Sequence, residues 1–112
     1  MKNLAEFQII GRIGRITPYD NATRISICAN YRRQERENGE WIDDPHWNEV
    51  VVFNKRTRDY ISEHVGSGDL VHVRGKIRQS SYTDKTTGEE RYSTDMIALD
   101  FGQLSKKQAD DN

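Results

Sequence analysis

Ten residues, Asp69-Leu-Val-His-Val-Arg-Gly-Lys-Ile-Arg78, constrain this chain more than any others. Side chains on a strand alternate between two faces. Val71, Val73, Gly75 and Ile77 therefore share one side, and His72, Arg74, Lys76 and Arg78 the other. One side asks for a core; the other is a row of donors and cations. Upstream, Trp47-Asn-Glu-Val-Val-Val-Phe53 has the same period, with Trp47, Val51 and Phe53 together, opposite Val50 and Val52. A sheet joining the two strands has the means to hold a charged, stackable polymer. Taken alone, the same rings also suit a core and the same cations a solvated face.

With 112 residues the chain is expected to form one domain around one core. Only 34% of residues are hydrophobic, so a core shared with a partner chain fits the composition. The formal net charge of −1 means that any polyanion binding rests on where the cations sit. Cys28 is the single cysteine, which excludes an intrachain disulfide and a Cys-rich zinc site. No apolar run reaches membrane-spanning length, and Met1 to Glu6 lacks the apolar stretch of a signal peptide. The expectation is a cytoplasmic protein with no membrane partner.

In chain order, Glu6 to Ile16 reads as a first strand, with Phe7, Ile9, Gly11 and Ile13 on one face. The pair Gly11 and Gly14 inside it signals a bulge or the close approach of another backbone. Thr17 to Asn21 is turn chemistry. Thr23 to Tyr31 is a second strand, with Ile25, Ile27 and Ala29 on one face. Arg32 to Asp44 reads as a polar loop, which Gly39 would allow to turn back as a long hairpin. Pro45 is expected to break the chain before the Trp47 strand. Asn54 to Val65 is the one helix, capped by Asn54 and ended by Gly66. The Asp69 strand runs on to Tyr82, Thr83 to Glu90 connects a hairpin, and Arg91 to Leu99 is the last strand. Residues 1–104 make the expected domain, and 105–112 a short polar tail. Strand-strand-strand-helix-strand-strand predicts an all-β, five-stranded Greek-key barrel of the OB type, because an open sheet would leave edges exposed.

Catalysis finds no foothold. His46, His64 and His72 fall on loop, helix and strand without metal-ligand spacing, and there is no nucleophile elbow or phosphate-cradling glycine loop. Asp43 and Asp44 beside His46 are the only residues from which a small metal-dependent hydrolase could be built, and an acidic solvated loop accounts for them far better. No cofactor is implied. Binding does better. Tyr31, Trp41, Trp47, Phe53 and Tyr82 stand at strand ends or in polar stretches, amid Arg32, Arg33, Arg74, Lys76 and Arg78. Cations follow phosphates while any base stacks on a ring, so interleaving the two suits unpaired nucleic acid. Duplex readers instead need an element shaped to a groove.

The ordered set Glu6 to Gly14, Trp47 to Phe53, Gly68 to Arg78, Tyr82-Thr-Asp84, Thr87-Gly88-Glu89 and Arg91-Tyr-Ser-Thr94 resembles bacterial single-stranded DNA-binding protein, SSB. The similarity runs from about Ala5 to Leu104. It implies that Tyr31, Trp47, Phe53 and Tyr82 stack on DNA bases, two of them standing where the family usually carries Trp. It further implies a homo-oligomer, a tetramer ahead of a dimer, and a cytoplasmic, nucleoid-associated bacterial role in DNA replication, recombination or repair. Asn48 stands where the family commonly has His at a subunit contact, and His72 where Tyr is frequent. The sequence closes on Ala109-Asp-Asp-Asn112 without the family's acidic Pro-Phe tip, so recruitment of replication or repair proteins is not carried over.

The expected function is to coat single-stranded DNA with little sequence preference and without catalysis. Arg32, Arg33, Lys55, Arg74, Lys76 and Arg78 are the phosphate candidates. The alternative among binding proteins is a primosomal or RNA-binding OB module.

Overall fold

The computed structural model describes residues 2–107. Its elements are β1 (Glu6–Pro18), β2 (Thr23–Gln34), β3 (Trp41–Val52), α1 (Lys55–His64), β4 (Leu70–Thr83) and β5 (Glu90–Ser105). The strands close into a barrel in the order β1-β2-β3-β5-β4. Neighbours are antiparallel except β3 and β5, which run parallel and meet at Val51 and Ile97. This is the five-stranded barrel with one helix between its third and fourth strands that the element order predicts.

Alternation supplies the core. Phe7, Ile9 and Ile13 of β1, Ile25 and Ile27 of β2, Val50 and Val52 of β3, Val71 and Val73 of β4 and Ala98 of β5 form one buried cluster. The helix adds Ile61, fully buried, with Val65 packed against the same cluster. Asn54 caps that helix, its Oδ1 accepting the Thr57 N–H at 3.0 Å. The chain turns extended at Val65, just before Gly66. Both glycines of β1 are structural: the β1–β2 register shifts between Ile13 and Arg15, so Gly14 is the bulge. A Cβ on Gly11 would lie 2.3 Å from the Cys28 carbonyl oxygen.

Three expectations need correction. Arg32 to Asp44 is mostly strand: β2 and β3 pair from Thr23↔Val52 out to Gln34↔Trp41, leaving only residues 35–40 as a turn. Pro45 does not break the chain but sits within β3, opposite Asn30. Since β5 meets β3 only at Val51, the side of Pro45 that lacks an N–H is a strand edge, where proline is tolerated. The last strand runs through Gly102 to Ser105 instead of stopping at Leu99. Of the expected tail, residues 108–112 lie outside the described residues. Ile77 also departs from its pattern: it keeps the core-side alternation but is 39% exposed, because β4 there leaves the barrel for the β4–β5 hairpin.

Asp69 holds the end of the barrel together. It is 5% exposed, and its carboxylate accepts the Lys107 N–H at 2.8 Å, the Gly66 N–H at 2.9 Å and Gln103 Nε2 at 2.9 Å. The Lys107 and Gly66 amides hold its pKa below the ordinary 3.8, against the opposing effect of burial. Folding thus favours the ionised form. The resulting stabilisation is full above the unfolded-state pKa near 3.9 and is lost as pH falls through the lower folded value. Asp69→Asn is expected to cost about 1–3 kcal/mol at neutral pH. In urea melts the gap from the parent should narrow below about pH 4. A gap that is constant from pH 7 to pH 3 would contradict the assignment.

Candidate nucleic-acid interface

Strand register decides which side chains share a surface. On the outside of the β2–β3 ribbon lie Arg24, Ser26, Cys28, Asn30, Arg32 and Gln34, facing Val51, Glu49, Trp47, Pro45, Asp43 and Trp41 in turn. Trp47 is 59% exposed, and its ring lies over Gly14. A Cβ at Gly14 would sit 2.4 Å from Cζ3 of that ring, so the bulge glycine is what lets the indole rest on β1. The ring borders an open cleft of about 370 Å³ shared with Arg15, Thr17, Arg24, Ser26 and Glu49.

Phe53, 48% exposed, stands just past the end of β3 with the alternation of Trp47 and Val51. Its carbonyl oxygen accepts from Arg58 Nε at 3.2 Å, which fixes the entry to the helix. Val51 neighbours Ile97 on β5, and Ile97 neighbours Lys76 on β4. Two strand spacings, roughly 10 Å, therefore separate the Trp47–Phe53 row from Lys76. The outward row of β4 continues through Arg78 and Ser80 to Tyr82, which is 56% exposed opposite Arg91 on the hairpin arm.

Tyr31 does not join that surface. Alternation puts it on the other face of the β2–β3 arm, with Arg33, Asp44 and His46. Its ring centroid lies 5.0 Å from that of His46, tilted by 60°, and His46 Nε2 is 3.1 Å from Asp44 Oδ2. Arg32, by contrast, shares the Trp47 face and lies 6.0 Å from the Trp41 ring centroid. Asp43 faces away from Asp44 and His46, which separates the three residues of the hydrolase alternative. Among the described residues no three His, Cys, Asp or Glu side chains gather to hold a metal.

Four of the six candidate cations already have carboxylate partners. Arg33 lies 3.3 Å from Glu35 and Lys55 2.9 Å from Asp59. Arg74 lies 3.0 Å from Asp100 and 3.9 Å from Glu6, and Arg78 lies 3.8 Å from Asp95. Arg32 and Lys76 form no such pair among the described residues. The four cations are between 51% and 78% exposed, so their pairs are screened by solvent and weak. Sequence reasoning missed Arg15 and Arg24, which line the same cleft as Trp47. The signal was present in β2, since Arg24 alternates against Ile25 and Ile27.

A closed five-stranded barrel carrying exposed rings and cations on its outer strands defines an OB-fold binding module. The family model described as "Single-strand binding protein family" matches residues 4–104. A mitochondrial single-stranded DNA-binding protein of Drosophila melanogaster is 32% identical over 103 residues, covering 88% of this chain and 70% of its own length. Single-stranded DNA-binding protein 1 of Xylella fastidiosa is 28% identical over 114 residues, covering 96% and 82%. Among solved structures, a Plasmodium falciparum SSB in complex with ssDNA aligns with a TM-score of 0.73 at 21% identity, over 94% of this chain and 98% of that one. The chain belongs to the single-strand binding protein family.

Proposed function

We propose that this protein binds single-stranded DNA with little sequence preference, stacking bases on Trp47, Phe53 and Tyr82 on one face and on Tyr31 on the other face of the β2–β3 arm, while cations track the phosphates. The carrying observation is that these four rings are each between 48% and 61% exposed, on a barrel that buries Ile and Val instead. Rings this exposed offer a face on which bases can stack. Lys76 and Arg32 are the foremost phosphate contacts because neither must leave a carboxylate first. Arg33, Lys55, Arg74 and Arg78 contribute where phosphate displaces their acids. Neither rings nor cations read base edges, so coating follows rather than sequence recognition. A non-catalytic role in replication, recombination or repair in the cytoplasm belongs to the same reading. So does a homotetramer, in which exposed Ile10, Leu99 and Leu104 would be covered. Among the described residues no helix is long and apolar enough to cross a membrane.

A titration of tryptophan fluorescence with an oligothymidine, at two salt concentrations, tests the reading. Unpaired DNA should bind far more tightly than duplex of equal length, because pairing and stacking hide the base faces that the rings need. Lys76→Ala should reduce the single-strand salt slope by roughly 0.7. Equal affinity for single strand and duplex at moderate salt would overturn the stacking interface.

A further inference from the structure

The cleft beside Trp47 contains an ion pair that the fold does not need. Arg24 Nη1 lies 2.6 Å from Glu49 Oε1, across the β2–β3 ladder on its outer face. The two side chains are 50% and 59% exposed, so the pair holds no core residue in place. It occupies the cationic side of the cleft that Trp47 borders. On the other side the bulge aims Arg15 into the same cleft: its backbone N–H donates to Ser26 Oγ at 2.9 Å, and Gly14 clears room for the indole. Among the described residues Arg15 forms no ion pair.

We propose that Glu49 is an internal competitor for DNA phosphate. In the free protein its carboxylate holds Arg24. A single strand that lays a base on Trp47 takes Arg24 over for a phosphate, while Arg15 receives a neighbouring one. This inference rests on the reading that the chain binds single-stranded DNA, and it adds two phosphate contacts and a residue that sets their strength. The carboxylate left behind keeps a cation from solution, so the exchange at Arg24 changes the net release of counterions little. Glu49 therefore lowers both the affinity and the salt dependence of binding at this cleft.

The test is a double-mutant cycle on the full chain, with oligothymidine as probe, tryptophan fluorescence as readout and a salt series for each variant. Glu49→Gln is expected to bind about two- to fivefold more tightly, the range that an exposed ion pair controls. Its salt slope should be steeper by roughly 0.7, since Arg24 now releases a counterion. The double variant Arg24→Gln/Glu49→Gln should lose both gains. Glutamine keeps the shape of either exposed side chain, and matching thermal melts confirm that the fold is unchanged. A Glu49→Gln variant with parental affinity and slope overturns the proposal. So does a gain that survives in the double variant, because removal of negative charge alone would then explain it. A parent that fails to bind oligothymidine at any salt overturns the underlying reading and this one with it. A binding parent beside an inert Glu49→Gln overturns this one alone.

Discussion

Gly75→Ala is expected to destabilise the protein by more than about 3 kcal/mol, and to leave it largely unfolded if the parent is of ordinary marginal stability. A Cβ at Gly75 would meet the Ile97 carbonyl oxygen at 1.8 Å, its carbonyl carbon at 2.8 Å and the Phe7 ring at 2.9 Å. The first two are backbone atoms of β5 and cannot swing away as a side-chain tip can. The cause lies in the β4–β5 ladder, where Arg74 pairs with Asp100 but Gly75 with Ala98. Leu99 is thus an extra residue, and this bulge presses β5 onto β4 where the barrel closes. Relieving the clash means opening that seam, which Val73, Ala98 and Phe7 fill. Gly66→Ala is the internal control. Nothing lies within 4 Å of a Cβ there, so it should leave the urea midpoint unchanged or raise it by the equivalent of about 0.4–1 kcal/mol. A Gly75→Ala midpoint within error of the parent would mean that the β5 backbone yields far more easily than its packing indicates.

The barrel was legible where strands have one buried face. Val71, Val73 and Gly75 inside against Arg74 and Lys76 outside is an alternation that only a half-buried strand requires, and Asn54 marks the start of the helix by capping chemistry, while its end at Val65 falls where the sequence places Gly66. The arms were not legible. From Arg32 to Asp44 the β2–β3 ladder runs clear of the core, so both faces are polar and the periodic signal vanishes although the backbone pairing continues. The end of β5 was hidden differently. The bulge at Leu99 reverses the alternation, so that Ala98 and Phe101 both pair with core-facing residues of β4. A constant two-residue period therefore ends at Leu99 while the strand does not. For the candidate site, the exposed rings stood out by type and context. Their grouping did not, because nothing along the chain gives the β2–β3 register, which pairs Cys28 with Trp47 and Tyr31 with Asp44 and so sets the two rings on opposite faces. The pairing of cations was equally invisible: Arg74 with Asp100, Arg78 with Asp95 and Arg24 with Glu49 are partners set by register, not by spacing along the chain.

Trp47→Ala is expected to weaken oligothymidine binding by about 1–3 kcal/mol, roughly 5- to 150-fold, with the salt slope unchanged. The ring is the larger part of what the outer face of β3 offers, and it carries no charge, so the count of neutralised phosphates stays the same. Stability should hardly move, because the indole rests on the outside of the barrel and the core residues Val50 and Val52 point the other way. Gly14 supplies a second handle on the same ring. Alanine there would put a Cβ 2.4 Å from the indole, whose free end can tilt away at little cost to folding but not without leaving its seat on β1. Gly14→Ala is therefore expected to weaken binding by less than Trp47→Ala, and the two effects should not add. Once the ring is gone, the methyl group at position 14 meets only Ser26 Oγ, 3.0 Å away, which a few tenths of an ångström of hydroxyl movement relieve. Additive losses in the double variant would show that Gly14 acts on DNA independently of the indole, against this geometry. With thermal melts matching the parent, an unimpaired Trp47→Ala variant would mean that the ring only shields the β1 bulge, and that the bases of a bound strand stack elsewhere.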